Sequence, residues 1–524
     1  LTPYWSLDIL IVSSSLMIAV YLYASWKLKY WSRRGIMQIT PSPLFGNFKK
    51  CILFQKSVSE IIRELYGQNE GLPFMGFYIF YKPFFLVRDI ELVKHILVKD
   101  FNTFANKHTS ADSKNDRIGY SNLFIIKNPA WKYLRGKLTS VFTSGKLKKM
   151  FDLMLIIGKN LEKHLELLNL DGNGKEVELK DLCANFTTDL IGTTAFGVNL
   201  NSLKDPNSDF RENGRLVFDY NLKRAFEFFS IFFFPNLSKY VSIKFFGKAT
   251  DYFRNSFWSV INQRIESNVK RNDLIDCLIE LREKHKNDES FEGFSIILFV
   301  MEYAMIQEGF DGDDLVSQAA IFFTGGFETS STTISFTLYE LALNKDIQKT
   351  VRTEIHEALA QTDGKITYDM ITNLPYLDMV VSETLRKYPP LGFLDRVALH
   401  DYKIPNSDVT IDKDTPVIIP MIAFHYDPKY FPNPEKYDPL RFSEEVKKTR
   451  PSYVYMPFGE GPHICIGMRL GLLQSKLGII EILKDYEVSP CEKTKIPMVL
   501  DPKGLTTTAL GGLYLNIRKI TIAA

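Results

Sequence analysis

The chain has 524 residues with 64 Lys and Arg against 61 Asp and Glu, so its net charge of +3 carries no electrostatic footprint for nucleic acid. No repeat or Pro/Gly/Ser-rich linker divides it, so one large globular body is expected even though the length would admit three domains. Forty Phe point to an apolar interior able to hold a bulky ligand, and five scattered cysteines (Cys51, Cys183, Cys277, Cys465, Cys491) exclude a disulfide framework and suit a reducing compartment.

Residues 7–26 are apolar except for Asp8 and a few serines, about the length that spans a bilayer as a helix. Lys27, Lys29, Arg33 and Arg34 follow, which puts the body on the cytoplasmic side. Trp26, Tyr30 and Trp31 sit at the exit and no small-residue cleavage site precedes them, so a retained anchor is expected over 1–34. The proline-containing connector 35–50 is stiff and non-helical, and 51–524 forms the body. Within it, 74–87 reads as a strand pair around Lys82-Pro83, with further strands near 416–420 and 512–520. Helical periodicity covers 90–98, 130–142, 146–168, 179–196, 252–271, 314–343, 346–360 and 374–387. The fold class is therefore mainly α with small β-sheets. Residues 226–235 hold six phenylalanines in ten and read as core or, preferentially, as an exposed apolar patch between helices that dips into the membrane. Residues 294–306 are strongly apolar and fit an additional buried or membrane-apposed helix.

Three motifs carry chemistry. Helix 314–343 contains Phe323-Thr324-Gly325-Gly326-Phe327-Glu328-Thr329-Ser330; two glycines inside a helix cost about 1 kcal/mol each relative to alanine. Their place just before an acid and an alcohol suggests a local kink and close approach of a flat ligand to the backbone. Glu383 and Arg386 lie at i,i+3 near the end of helix 374–387, and Pro434 to Phe442 reads PEKYDPLRF. Finally, Phe458-Gly459-Glu460-Gly461-Pro462-His463-Ile464-Cys465-Ile466-Gly467 boxes one cysteine among glycines and a proline, ahead of an amphipathic helix. A lone cysteine is ordinarily a small buried hydrophobe. Here it reads as a tight loop presenting one sulfur under backbone amides, as an axial thiolate does toward a haem iron.

These segments together resemble the cytochrome P-450 family, the haem-thiolate monooxygenases, and most closely the insect microsomal members that act on drugs and toxins. The cysteine loop matches F-x-x-G-x-R-x-C-x-G except for His463 at the arginine, and PEKYDPLRF matches P-x-x-F-x-P-x-R-F with Tyr437 for Phe. The resemblance implies the cytochrome P-450 fold, haem b with Cys465 as iron ligand, and Phe458 in the haem loop. It implies that Glu328 and Thr329 support proton delivery, and that Glu383, Arg386 and Arg441 form a buried network bracing the haem loop. Trp131 and Arg135, matching W-x-x-x-R, would hold the haem carboxylates with Arg396 and His463; a neutral imidazole donates only one bond, so His463 would anchor weakly and with pH sensitivity. Substrate contacts implied by topology are Phe124, Phe323, Gly325, the Leu391 to Leu394 turn, Thr506 and Thr507. NADPH-cytochrome P-450 reductase would dock on the basic face of Lys132, Lys137, Lys146, Lys148 and Lys149, with cytochrome b5 as a further partner and the endoplasmic reticulum membrane as location. A haem-thiolate isomerase or dehydratase, and a non-enzymatic haem carrier, are the alternatives.

Overall fold

The computed structural model describes residues 4–69, 71–271, 273–286 and 312–520, with side chains of 284–286 also left aside; the apolar stretch 294–306 lies outside the described residues. Helix α1 (Trp5–Lys27) is exposed along nearly its whole length and is long and apolar enough to cross a membrane, with a mean hydropathy of 1.9 over its best window. At its exit Trp31 is not an interfacial aromatic: it is fully buried, its Nε1 donates to the Phe77 carbonyl, and its ring lies where a side chain on Gly76 would be. Arg34 pairs with Asp412, and Ile36, Ile39 and Phe48 are buried, so the connector packs onto the body.

Helix α2 (Val58–Tyr66) begins with a capping box between Ser57 and Glu60. Strands β1 (Phe74–Ile79) and β2 (Lys82–Val87) pair antiparallel. Helices α3 (Ile90–Lys94), continued by a π-helical turn over His95–Lys99, α4 (Ala130–Leu138) and α5 (Ser144–Leu167) follow. After β3 (Lys175–Glu178) come α6 (Leu179–Ile191), α7 (Asp209–Val217), α8 (Leu222–Phe233) and α9 (Thr250–Ser267). Then come α10 (Asp313–Leu343), α11 (Lys345–Ala360), α12 (Pro375–Lys387), β4 (Leu394–Val397), β5 (Pro416–Ile419), α13 (Met468–Leu483), β6 (Tyr486–Ser489) and β7 (Tyr514–Lys519). One sheet runs β1-β2-β5-β4 with β2 and β5 parallel; a second runs β3-β7-β6, wholly antiparallel.

The 31-residue α10 is buried over most of its circumference, as expected of a helix at the centre of a large body. Its many hydroxyls are satisfied locally: Thr324, Thr333, Ser335 and Thr337 donate back to carbonyls four residues earlier. The Phe-rich segment expected as a membrane-facing patch is instead largely the helix α8, with Phe228, Ile231, Phe232 and Phe233 buried and Phe226 exposed. Helical spacing explains this, because it turns most of the rings inward, where Phe232 and Phe233 pack on Phe393.

Candidate functional site

The cysteine loop is built around backbone that only glycine tolerates. Gly459 and Gly461 have φ of +74° and +71°, and a Cβ on Gly461 would collide with the Leu97 carbonyl in the π-helical turn. The chain then bends so that the Cys465 N–H donates to the Phe458 carbonyl at 2.8 Å, while Phe458 itself is partly buried. The Cys465 sulfur accepts the Gly467 N–H, which together with Arg135 and Lys107 favours the thiolate; burial outweighs them and raises the thiol. Its surface is nevertheless accessible. Both facts describe a sulfur that opens on a space inside the body, away from bulk water.

That space is bordered on another side by α10. Ser330 Oγ donates to Gln474 Oε1 at 2.9 Å, pinning α10, one residue beyond Thr329, to the middle of α13, the helix that follows the cysteine loop. A Cβ on Gly325 would meet nothing within 4 Å, whereas one on Gly326 would press on Ile191, so Gly325 faces the space and Gly326 faces α6. Helix α10 is α-helical throughout, with no break at the glycines, and Thr329 Oγ1 donates back to the Gly325 carbonyl at 2.7 Å. Phe323, expected to contact substrate, is fully buried on the other side among Phe196, Phe210, Phe253, Phe257 and Phe327. Phe322 is the partly exposed neighbour on the face of Gly325 and Thr329; the i, i+3, i+7 spacing carried that information in the sequence.

Glu328 is 3% exposed. Its Oε1 accepts from Lys180 Nζ at 3.1 Å, Thr506 Oγ1 at 3.1 Å and the Tyr220 hydroxyl at 3.4 Å. Thr507 donates to the Pro389 carbonyl, so Thr506 and Thr507 both spend their hydroxyls on protein. Leu391 and Leu394 are partly exposed, and Leu394 would lie 3.9 Å from a Cβ on Gly459, close to the cysteine loop. Phe124 is partly buried, with Lys107 Nζ 3.5 Å above its ring.

Cations gather beside the sulfur. Trp131 is buried on α4, and Arg135 one turn on is half-buried. Arg396 is 2% exposed, donates to the Asp395 carbonyl, has no partner for Nε, and is pulled down to about 10 by burial. Lys107, which the sequence reading missed because no pattern marks it, is pulled down to about 7 by burial, with Arg396 and Lys127 adding to the effect. His463 packs on Trp131 with ring centroids 3.8 Å apart and the planes tilted by 39°, and its Nε2 donates to the Ala105 carbonyl at 2.8 Å. Burial, then Arg396 and Lys107, pull it down to about 2, so the ring is neutral and its single N–H is already used. The expected carboxylate contact and pH sensitivity at His463 are absent from this arrangement.

Glu383 and Arg386 are fully buried, paired at 2.7 Å and 2.9 Å through Arg386 Nε and a terminal guanidinium nitrogen. Arg386 also donates to the carbonyls of His425 and Pro434, and Glu383 accepts the Asp438 N–H at 3.0 Å. Arg441 stands 3.4 Å from Glu383 but its Nε makes no hydrogen bond, so it contributes charge more than geometry. Lys132, Lys137, Lys148 and Lys149 are exposed and Lys146 half-exposed, and Arg469 at the start of α13 donates to Ser144 at the start of α5, setting this basic face beside the cysteine loop.

An orphaned buried guanidinium nitrogen, a deep lysine, a half-buried arginine and an accessible sulfur on a glycine loop fit a flat ligand that brings a metal and carboxylates. The cytochrome P450 family model matches residues 38–515. The chain is 45% identical to cytochrome P450 6k1 of Blattella germanica over 98% of its own length and 97% of that protein. It is 42% identical to probable cytochrome P450 6g2 of Drosophila melanogaster, over 98% of each, and 39% identical to cytochrome P450 6j1 of Blattella germanica, over 98% and 97%. The chain therefore belongs to the cytochrome P450 family, as a monooxygenase whose haem iron takes a cysteine thiolate.

Proposed function

We propose that this chain inserts one oxygen atom from O2 into a lipophilic small molecule, a xenobiotic, plant toxin, insecticide or endogenous hormone or lipid. Electrons come from NADPH-cytochrome P450 reductase, with cytochrome b5 as a further donor. The balance is R–H + O2 + NADPH + H⁺ giving R–OH + H2O + NADP⁺. The observation that carries the reading is the accessible Cys465 sulfur on its glycine loop, beside Arg135 and Lys107 and near the open face of α10. Bound haem would supply the oxygen activation, and the Cys465 thiol would release its proton to solvent as its sulfur becomes the iron ligand.

The residues do the rest. Arg135, Arg396 and Lys107 would hold the haem carboxylates, Arg396 through its unpaired Nε. Trp131 and His463 close the edge of the site against water with their closely packed rings. Thr329, whose hydroxyl donates to Gly325, keeps its oxygen free to accept a proton donor, and Glu328 is the nearby acid. Phe322, Phe124, Leu391 and Leu394 offer apolar surface and favour a lipophilic substrate. The helix α1 supports a single N-terminal anchor, with the body on the cytoplasmic face of the endoplasmic reticulum, and the basic face beside the cysteine loop suits an acidic reductase.

The test is a reduced, carbon monoxide difference spectrum of the parent and of Cys465→Ser. A thiolate-type band in the parent that is lost in the variant supports the reading; its absence from the parent overturns it.

A further inference from the structure

Glu328 does not contact Thr329 by hydrogen bond; its carboxylate is held elsewhere, and the holders come from three separate segments. Lys180, the second residue of α6, places Nζ 3.1 Å from Glu328 Oε1 and also donates to Ser331 Oγ and Thr332 Oγ1, each at 2.8 Å, and to the Glu328 carbonyl at 3.2 Å. Every proton of this ammonium thus has an acceptor on α10. Tyr220, in the turn between α7 and α8, brings its hydroxyl to 3.4 Å from the same Oε1 and 2.8 Å from Thr508 Oγ1. Thr506, ahead of β7, supplies the third contact.

The last two segments border the apolar face described above. The Thr507 N–H and hydroxyl donate to the carbonyls of Pro390 and Pro389, which tie the 506–508 loop to the turn that begins at Leu391. Tyr220 directly precedes the Phe-rich α8, whose Phe232 and Phe233 pack on Phe393 of that same turn. The 391–394 turn is thus joined to the loop that carries Thr506 and, through α8, to the segment that carries Tyr220. If the Lys180 to Glu328 pair served only to pack α6 on α10, neither a tyrosine nor a threonine from the substrate side would need to share its oxygen.

Resting on the proposed monooxygenase function, we propose that Lys180 and Tyr220 are positioning residues for Glu328. Lys180, itself fixed to α10, gives the carboxylate a charged pivot beside Thr329, and Tyr220, with Thr506 and Thr508, links the carboxylate to the substrate-side loops. Substrate contact shifts Tyr220 and Thr506, and the acid turns about its Lys180 contact toward Thr329; without the Lys180 contact it has no fixed path. Oxygen activation without timely proton delivery leaks as O2 + NADPH + H⁺ giving H2O2 + NADP⁺, so the partition of electrons between R–OH and H2O2 reads the positioning directly.

The experiment uses the full-length holoenzyme with its reductase and any lipophilic compound that it hydroxylates. Lys180→Met, Lys180→Arg and Tyr220→Phe are compared for R–OH and H2O2 formed per NADPH, for the optical shift on substrate binding, and for urea midpoint. Loss of the ion-paired hydrogen bond in Lys180→Met is expected to lower R–OH per NADPH about tenfold, and loss of the longer one from an uncharged donor in Tyr220→Phe about threefold, with the optical binding constant unchanged. Lys180→Arg recovers most of the coupling. Lys180→Met lowers the urea midpoint and Lys180→Met/Glu328→Gln restores it, because the second change removes the unpaired buried carboxylate. Unchanged electron partition in both Lys180→Met and Tyr220→Phe overturns the proposal. So does a loss of coupling that merely tracks loss of the thiolate-type band. If Lys180→Met does not fold, Tyr220→Phe alone decides. Absence of that band from the parent instead removes the underlying monooxygenase reading.

Discussion

The three residues behind the haem loop are unequal, and that inequality can be measured. Glu383 and Arg386 are both fully buried and exchange two short hydrogen bonds, while Glu383 also satisfies the Asp438 N–H. Glu383→Gln keeps the volume but leaves the Arg386 guanidinium without its counter-charge, a change that costs about 3–5 kcal/mol for a buried pair. Arg441 is different: its side chain retains 10% exposure, its Nε is unbonded, and its terminal nitrogen donates to the Asn433 carbonyl. Arg441→Met is therefore expected to cost about 1 kcal/mol. At about 1.4 kcal/mol per decade these values mean roughly a thousandfold against a fivefold fall in the folded-to-unfolded ratio. Against a total of about 5–15 kcal/mol for a typical protein, only the first is ruinous. The assay is the fraction of purified protein showing a thiolate-type carbon monoxide band, together with its urea midpoint. Equal loss in Glu383→Gln and Arg441→Met would refute the ranking.

Lys107→Met removes one of three cations beside the cysteine loop and should speed haem transfer to apomyoglobin by about ten- to a hundredfold, as for a lost charged hydrogen bond; an unchanged rate would confine Lys107 to its contact with Phe124. His425, fully buried, is pulled down to about 3 by burial and then by Arg386. The unfolded chain takes up that proton first, so His425 contributes no penalty above pH 6.5 and withdraws about 2 kcal/mol of stability by pH 5. Urea titrations at the two pH values check this, and His425→Gln should lose one proton from the slope between them; an unaltered slope contradicts it. Gly461→Ala forces a left-handed φ on alanine and a collision with the Leu97 carbonyl, so the variant should express with little thiolate-type band, and a normal band would show the loop to be more pliant than its geometry implies.

The legible parts of the sequence were those in which one residue type is the only physical solution. Glycines at 459 and 461, the i,i+3 pair at 383 and 386, and the 3.6-residue period of α10 each declare a local geometry, and the structure has those features. What stayed hidden depends on which side of an element faces what. Helical spacing groups Phe322 with Gly325 and Thr329 and sets Phe323 apart, but which of the two faces turns into the aromatic core is settled by the packing of Phe196 and Phe257 on Phe323. Residues 226–235 are rich enough in Phe to suit either bilayer or core, and the sequence preference for the bilayer failed because the helical turn buries most of those rings. Trp31 was read with its interfacial neighbours, yet Gly76, 45 positions away, leaves room for its ring in the body. Lys107, Lys180 and Tyr220 carry no motif, because a long side chain reaching across several segments leaves no local pattern.

His463 shows how a departure from a family pattern is absorbed by its surroundings. As a replacement for arginine it removes a cation, and on sequence alone that means a weaker grip on the haem carboxylates. In the fold its N–H ties the cysteine loop to the Ala105 carbonyl, two residues before Lys107, while its ring rests on Trp131. The residue that gives up the charge thus fixes the segment from which another charge is supplied. His463→Arg should accordingly change haem retention little when Lys107 is present, since the added cation comes at the cost of the Ala105 tether and of repulsion from Lys107, Arg135 and Arg396. In a Lys107→Met background the same substitution should tighten retention and recover most of the loss, because the arginine then occupies an electrostatic role left open. Haem transfer rates for the parent, both single variants and the double variant form a cycle with a coupling of about 1–2 kcal/mol. Additive effects would show that positions 107 and 463 act independently and that the histidine is a simple weakening of the site.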